Sequence, residues 1–418
     1  MEELLITGGE RLCGELAVQG SKNGVLPVLA ATILCADECR IERCPRLRDV
    51  DASIAILRHL GCCARWEGDD LIVDTRHMDR SEIPDALMRE MRSSVIFLGA
   101  ILARQGAATL SHPGGCELGP RPIDLHLAAL RTLGAGIEER GGALRCRASK
   151  LCAGEIVLPL PSVGATENAI LAACGAAGTS VIYNAAREPE LAELQTFLNA
   201  MGAQVRGAGG SIVTVTGGRA LHGCTHRVSA DRIAAATYLC AAAGCGGEVR
   251  VTGVDYRALA SVSLALSEAG CRVRSEADAV SVAADGALRS VRPVRTAPYP
   301  GFPTDAQPCL MAALLRSRGS TVFVENIFEN RYRHVAELAR MGAEIRVAGR
   351  VAVVSGVDAL RGAPVACTDL RGGAALVLAG LQAEGETRVS RLAHIDRGYE
   401  SIERDLRLLG ARITRRDT

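Results

Sequence analysis

Aromatic side chains are scarce in this chain: they make up 3% of 418 residues, with a single tryptophan, Trp66. Such scarcity argues against a platform for single-stranded nucleic acid, which stacks successive bases on aromatic faces. An excess of one charge is also missing, since 48 Lys and Arg face 47 Asp and Glu. Without a global field there is no electrostatic hold on nucleic acid or an anionic membrane, and an anionic ligand must be met by locally placed cations. No apolar run approaches the roughly 18 residues that a spanning helix needs. The opening Met1-Glu2-Glu3-Leu4-Leu5-Ile6-Thr7-Gly8-Gly9 lacks a basic segment and reads as a strand, not a signal peptide. No membrane insertion and a cytoplasmic location are expected. C-x-x-C pairs are absent, Cys62-Cys63 are poorly spaced for zinc, and Gly223 separates His222 from His226, so no metal is expected. Nor is there a Walker loop or a Gly-x-Gly-x-x-Gly after a strand, so nucleotide-dependent kinases and dehydrogenases lack support.

What is present points to large buried cores: 48% of residues are hydrophobic and the length suits two or three domains. Sixteen cysteines suggest a disulfide framework until their settings are read. Cys35, Cys174, Cys240 and Cys309 sit in Ala/Leu runs, where a thiol behaves as a small apolar group. The thiols are expected to be reduced.

A signature recurs six times, a helix end in Leu-x-x-x-Gly followed by a small residue and a strand. Its glycines are Gly61, Gly134, Gly202, Gly270, Gly342 and Gly410, separated by 73, 68, 68, 72 and 68 residues. Each glycine is expected to take the left-handed conformation that ends a helix. The residues after it alternate apolar and polar, as in Ala343-Glu344-Ile345-Arg346-Val347, and a turn with a second strand completes a hairpin. A second helix recurs on the same beat, nearly free of charge and therefore buried. Its copies open near Lys22, Arg92, Ser162, Asp231, Asp305 and Arg371, at steps of 70, 70, 69, 74 and 66. Six mixed α/β units follow, each with one buried helix, one half-exposed helix and about four short strands.

Parallel buried helices would present their N-termini on a common face, where free N–H groups and the macrodipole attract anions. Ser162 and Asp369 suit ordinary caps. Lys22, Arg92 and Arg371 oppose the dipole at those ends, which favours an anionic ligand facing them. A separate loop, 111–126, carries Cys116 and Arg121 among Gly114, Gly115, Gly119, Pro113, Pro120 and Pro122. Reactive side chains on such loops are disproportionately functional.

The stretches Gly20-Ser21-Lys22-Asn23, Pro113-Gly114-Gly115-Cys116-x-Leu118-Gly119-Pro120-Arg121-Pro122-x-Asp124-Leu125-His126 and Pro161-Ser162-Val163-Gly164 resemble the enolpyruvyl transferase family. So do Tyr299-Pro300-Gly301-Phe302-Pro303-Thr304-Asp305, Ile327-Phe328-Glu329-Asn330-Arg331, Asp369-Leu370-Arg371 and Ile395-Asp396-Arg397-Gly398-Tyr399-Glu400. The resemblance implies an inside-out α/β barrel: two globular domains of three units each, with buried parallel helices surrounded by short mixed sheets. It implies residues 21–229 as one domain, 1–20 with 230–418 as the other, and an active site in the cleft between them.

The cysteine loop is similar to that of members acting on UDP-N-acetylglucosamine. The implied reaction moves the enolpyruvyl group of phosphoenolpyruvate to the sugar 3′-hydroxyl and releases phosphate, the first committed step of peptidoglycan synthesis, with no cofactor. Cys116 then matches the proton donor, tuned by Arg121, and the site of fosfomycin alkylation. Asp305 matches a base or positioning carboxylate; without the resemblance a helix N-cap is the better reading. Lys22, Arg121 and Arg397 match the phosphate and enolpyruvate cradle, and Arg331 and Arg371 suit carboxylate or charge-stabilising contacts. Arg331 and Arg397 are otherwise unremarkable surface arginines. Asn23, Arg92, Arg121, Pro122, Ile123, Asp124, Leu125, Ser162, Val163, Asp305 and Ile327 match positions holding the UDP-sugar.

Three departures from the family pattern stand out. Ala234-Ala235-Ala236 replaces Glu-x-Gly at the return crossing, Leu158-Pro159-Leu160-Pro161 offers no lysine, and Gly24 and Gly372 replace common alanines, a mild change. Competing readings are a same-fold transferase acting on another phosphorylated alcohol, such as shikimate 3-phosphate, and a non-catalytic UDP-sugar-binding paralogue. Protein partners are not legible.

Overall fold

The computed structural model describes residues 2–111 and 122–417, and of Arg92 only the backbone. Two compact units emerge. One joins the residues up to Gln19 with those from Ala230 onward, and the other runs from Gly20 to Ser229.

All six signature glycines do the same thing. Their φ values lie between +89° and +106°, in the region that side chains avoid. At the end of helix Val335–Arg340, Ala343 N–H donates to Leu338 C=O (3.2 Å) and Gly342 N–H to Ala339 C=O (3.0 Å). This is the Schellman pair, and it recurs after helices Arg48–His59, Asp124–Thr132, Pro189–Ala200, Tyr256–Glu268 and Ile402–Leu408. The leucine of each signature is the carbonyl acceptor three positions before the cap. Leu57, Leu130, Leu198, Leu266, Leu338 and Leu406 are all 0% exposed. The small residue after each glycine supplies the N–H that reaches back to that leucine carbonyl. One chemical device thus turns six helices into six strands.

Six four-stranded sheets carry one topology, with an edge strand parallel to the second and the remaining neighbours antiparallel. In the sheet 155–217, Glu155–Val157 is the parallel edge and Gly178–Tyr183 is central; after helix Pro189–Ala200 the hairpin Gln204–Arg206 and Ile212–Gly217 returns. In three sheets a strand comes from a distant part of the same unit. Thr225–Arg227 forms the parallel edge beside Glu38–Glu42, Leu12–Ala17 does so beside Gly247–Thr252, and Glu2–Thr7 lies between Glu386–Ser390 and Arg412–Asp417. Each unit is closed by its own chain ends.

Inside each unit lie three apolar helices. Lys22–Ala31, Phe97–Gln105 and Val163–Gly175 fill one; Arg232–Cys245, Gln307–Ala313 and Leu370–Gln382 fill the other. Two begin differently from the expected pattern. Arg92–Ile96 is a 3-10 segment ahead of its helix, and the chain turns at Thr304 before Gln307. The residues Ala234, Ala235 and Ala236 are all 0% exposed within their helix, packed where larger side chains would not fit without rearrangement.

Candidate functional site

In the unit containing Ala230 onward, the polar starts of the three buried helices surround one guanidinium. Arg371 follows Asp369, whose carboxylate caps the helix by accepting from Arg371 N–H (3.1 Å) and Gly372 N–H (2.9 Å). Its side chain is only 2% exposed and its carbon lies 5.4 Å from the centre of the Tyr399 ring, a cation–π geometry. Burial disfavours the charge, but the side chains of Tyr399, Asp305 and Asp231 outweigh it and hold Arg371 protonated. None of its three guanidinium nitrogens has a hydrogen-bond partner among the described residues. Buried donors that make no hydrogen bond are costly, and a ligand anion is the kind of group that would offset them.

Asp305 stands opposite. Its Oδ1 accepts from Arg331 Nη2 at 2.9 Å, and its Oδ2 lies 3.5 Å from Arg371 Nη2. At 28% exposure it is the accessible member of the trio, whereas the Arg331 side chain is 1% exposed. The helix-cap reading of Asp305 fails: helix Gln307–Ala313 starts after Ala306 with no side-chain cap, because the carboxylate is committed to two cations. Surface placement of Arg331 fails equally. Its Nε and Nη2 donate to Thr304 C=O at 3.1 and 2.7 Å, and it lies beside the Phe328 ring.

Glu325, 0% exposed, ties this corner together. Its Oε1 accepts from the N–H groups of Ile327 (2.8 Å) and Phe328 (3.0 Å), and its Oε2 from the Thr304 hydroxyl (3.0 Å). Ile327 is held with 38% of its surface exposed. Arg397, half-buried, ends the turn Leu392–Arg397 two residues before Tyr399. The Tyr399 hydroxyl meets Thr237 Oγ1 at 2.7 Å, which anchors the ring beneath Arg371. His334, also 0% exposed, has a pKa lowered from 6.5 to about 4 by burial.

In the unit running from Gly20 to Ser229, Lys22 opens its helix beside Ser21, which caps Gly24 N–H (3.0 Å). Lys22 Nζ pairs with Asp49 Oδ2 at 3.1 Å and contacts Asn23 Oδ1 at 3.5 Å. A buried carboxylate therefore already accompanies the cation that opposes the dipole. Ser162 caps Ala165 N–H (3.4 Å), and Val163 begins the helix. Asn168 in that helix accepts from Gly99 N–H (2.7 Å), so its amide donates to Val95 C=O (3.0 Å) and His126 Nδ1 (2.8 Å). His126 lies in the helix Asp124–Thr132, so Asn168 brings the 124–132, 163–175 and 92–105 segments together. Pro122 and Asp124 are exposed, Leu125 is half-buried and Ile123 is buried. Glu167, one turn into its helix, has its pKa raised to about 8 by burial and by Glu190 and Glu188, against the charge of Lys22. Cys116 and Arg121 lie outside the described residues, as does the Arg92 side chain.

The two glycine substitutions are more than mild changes. A methyl on Gly24 would meet Glu193 Oε2 at 2.2 Å, and one on Gly372 would meet Asp369 Oδ2 at 2.6 Å and the His334 β-carbon at 2.9 Å. Glu193 is itself engaged, accepting from Ser229 N–H at 2.7 Å. Alanine at either position requires these neighbours to move.

A carboxylate set between buried guanidiniums, on repeated units with buried helices, makes a site suited to an anionic small molecule. The chain belongs to the EPSP synthase (3-phosphoshikimate 1-carboxyvinyltransferase) family, whose model matches residues 6–406. It is 49% identical over 415 residues to UDP-N-acetylglucosamine 1-carboxyvinyltransferase 2 of Caldanaerobacter subterraneus, covering 99% of this chain and 100% of that protein. It is 48% identical to the UDP-N-acetylglucosamine 1-carboxyvinyltransferase of Zymomonas mobilis, over 99% of both. Among solved structures, the enolpyruvyl transferase NikO of Streptomyces tendae superposes with a TM-score of 0.88 at 28% identity, over 100% of this chain and 99% of that one. EPSP synthase of Acinetobacter baumannii shares the fold at a TM-score of 0.75 and 17% identity, over 100% of both chains.

Proposed function

We infer that this protein is a UDP-N-acetylglucosamine 1-carboxyvinyltransferase, acting in the cytoplasm on phosphoenolpyruvate at the start of peptidoglycan synthesis. The observation that carries the reading is full-length identity of 45–49% with proteins of that name. The site supports it. In the addition step the sugar 3′-oxygen bonds to C2 of phosphoenolpyruvate, C3 gains a proton and the hydroxyl loses one. In the elimination step C3 gives up a proton, the C2–O bond to phosphorus breaks, and phosphate leaves. Cys116 is assigned as the acid to C3, and Asp305 as the group that takes or orients the hydroxyl proton. Arg331 orients Asp305. Lys22, Arg121, Arg371 and Arg397 are assigned to the phosphate and carboxylate. Asn23, Arg92, Pro122, Ile123, Asp124, Leu125, Ser162, Val163 and Ile327 are assigned to the UDP-sugar.

Shikimate 3-phosphate as acceptor has weaker support, since the EPSP synthase structure is only 17% identical. A non-catalytic paralogue would have no need of an Asp305 carboxylate held by two buried arginines. The test is phosphate release from phosphoenolpyruvate with UDP-N-acetylglucosamine, with shikimate 3-phosphate, or with neither. Release is expected with the sugar nucleotide alone and is expected to stop after fosfomycin treatment. Release with shikimate 3-phosphate alone would replace the acceptor, and none with either would remove the enzymatic reading.

A further inference from the structure

Two neighbouring thiols and a third some 185 residues on, all outside the loop of Cys116, meet at the seam where the Gly20–Ser229 unit closes on itself. Cys35 follows the 3-10 turn Thr32–Leu34, Cys39 lies in strand Glu38–Glu42, and Cys224 directly precedes the closing strand Thr225–Arg227. The Sγ atoms of Cys35 and Cys39 are 3.9 Å apart, and both side chains are buried. Cys39 also contacts Cys224, which is partly exposed. Parallel register pairs Thr225 with Arg40, which sets Cys224 beside Cys39, and Arg40 N–H donates to Cys224 C=O at 2.9 Å. Neighbouring strands run about 4.8 Å apart, inside the span of roughly 4.4–6.8 Å between α-carbons that a disulfide tolerates.

We propose that Cys224, Cys39 and Cys35 form a two-electron oxidation site, in which Cys224 takes oxygen from a hydroperoxide and Cys39 resolves it to a Cys39–Cys224 disulfide. The Cys224 sulfur attacks the peroxide, the O–O bond breaks, and a sulfenic acid and one water form from hydrogen peroxide. The Cys39 thiol then attacks the Cys224 sulfur, the S–O bond breaks, and the oxygen leaves with the Cys39 proton as a second water. Two thiols are oxidised and one peroxide is reduced to two waters. Cys35 is placed to exchange with Cys39 and pass the bridge inward.

Electrostatics agree with this order of events. The contact with Cys39 holds the Cys224 thiol below its ordinary pKa, favouring thiolate at the most accessible member of the trio. The same contact, with burial, pushes Cys39 up to about 12, so Cys39 stays a thiol until proximity to the oxidised Cys224 sulfur lets it react. The described residues contain no group of three or more His, Cys, Asp or Glu placed to hold a metal ion. Thiol chemistry is what the trio offers. The bridge would fasten the last strand of the unit, three residues long, to its first.

The test treats the folded, fully reduced chain with limiting hydrogen peroxide, blocks free thiols with N-ethylmaleimide and maps the unreduced digest by mass spectrometry. A peptide pair joined through Cys39, to Cys224 or to Cys35, is expected. A Cys39→Ala variant is expected to leave Cys224 as a sulfenic acid trapped by dimedone; should that variant not fold, Cys35→Ala is expected to keep the Cys39–Cys224 pair. Blocked, unoxidised Cys39 and Cys224 alongside oxidised Cys13, Cys63 and Cys152, the exposed thiols among the described residues, would overturn the proposal.

Discussion

Lys22 is one of two lysines in the chain, the other being Lys150, so forty-six of the 48 cations are arginines. A compact ammonium at a helix N-terminus beside Asp49 does something an arginine fork would not, since it is a point charge with three donors. Asp49 takes one direction and Asn23 lies along another. Asp305 shows the complementary case of a carboxylate given its direction by Arg331 and Arg371. Asp305→Asn retains an acceptor for Arg331 and should keep the fold, as circular dichroism would show. A proton-accepting role predicts a fall in kcat of about 10²–10⁴-fold; a fall below tenfold would assign Asp305 to positioning alone. His126 supplies a pH test independent of turnover. Burial lowers its pKa from 6.5 to about 4, so the unfolded chain protonates first. Its contribution to stability is fully present above pH 6.5 and is lost as pH falls toward 4, on the order of 3 kcal/mol. His334 has the same direction and adds to the loss. In thermal melts across that window, His126→Gln should flatten the decline in Tm, and an unchanged slope would move the linkage elsewhere.

At the scale of the element, the glycine that ends each outer helix bears on both stability and legibility. At Gly342, where φ is +89° and an added β-carbon meets nothing within 4 Å, the only cost of a side chain is backbone strain. Gly342→Ala should therefore destabilise by about 1–2 kcal/mol, and Gly342→Asn by less, since Asn tolerates the left-handed region. Urea unfolding checks both. This device was readable from spacing alone because a Schellman end needs a leucine, a glycine and a small residue at fixed offsets. Burial of polar residues was harder to read. Glu325 continues the alternation of buried Thr321 and Phe323, so period two places it inward. Asp49 likewise shares the inward helical face of Ser53, Ile56 and Leu57. In both cases the periodicity was available, but a carboxylate at an element end reads as solvated unless its partners are known. Asp305 meets Arg331 from 26 residues on and Arg371 from the next repeat, and no local pattern reports such a meeting.

Across the whole molecule, the six sheets are uniform in topology but not in chain order, and this limits what a linear reading can assemble. The repeat count places the opening residues before the first copy, and their short apolar run marks a strand without naming its neighbours. These residues are the third strand of the last sheet. Glu2–Thr7 lies between two antiparallel neighbours, with Leu4 opposite Val389 and Ile6 opposite Ile413, and Leu4 and Ile6 are both 0% exposed. Removing the segment strips Glu386–Ser390 of its antiparallel partner and leaves Arg412–Asp417 without a neighbour, since that strand pairs with Glu2–Thr7 alone. Two buried side chains at about 1.5–3 kcal/mol each, with the lost ladder bonds, make a deficit comparable with the ~5–15 kcal/mol by which domains are stable. A chain starting at Gly8 is expected to lose the unit holding the Asp305 site, seen as lost protection of 230–417 in hydrogen exchange. The 20–229 core contains none of this strand and should stay protected. Equal loss in both regions would mean that the two units do not fold independently. Retained protection throughout would mean that the last sheet stands without its interior strand.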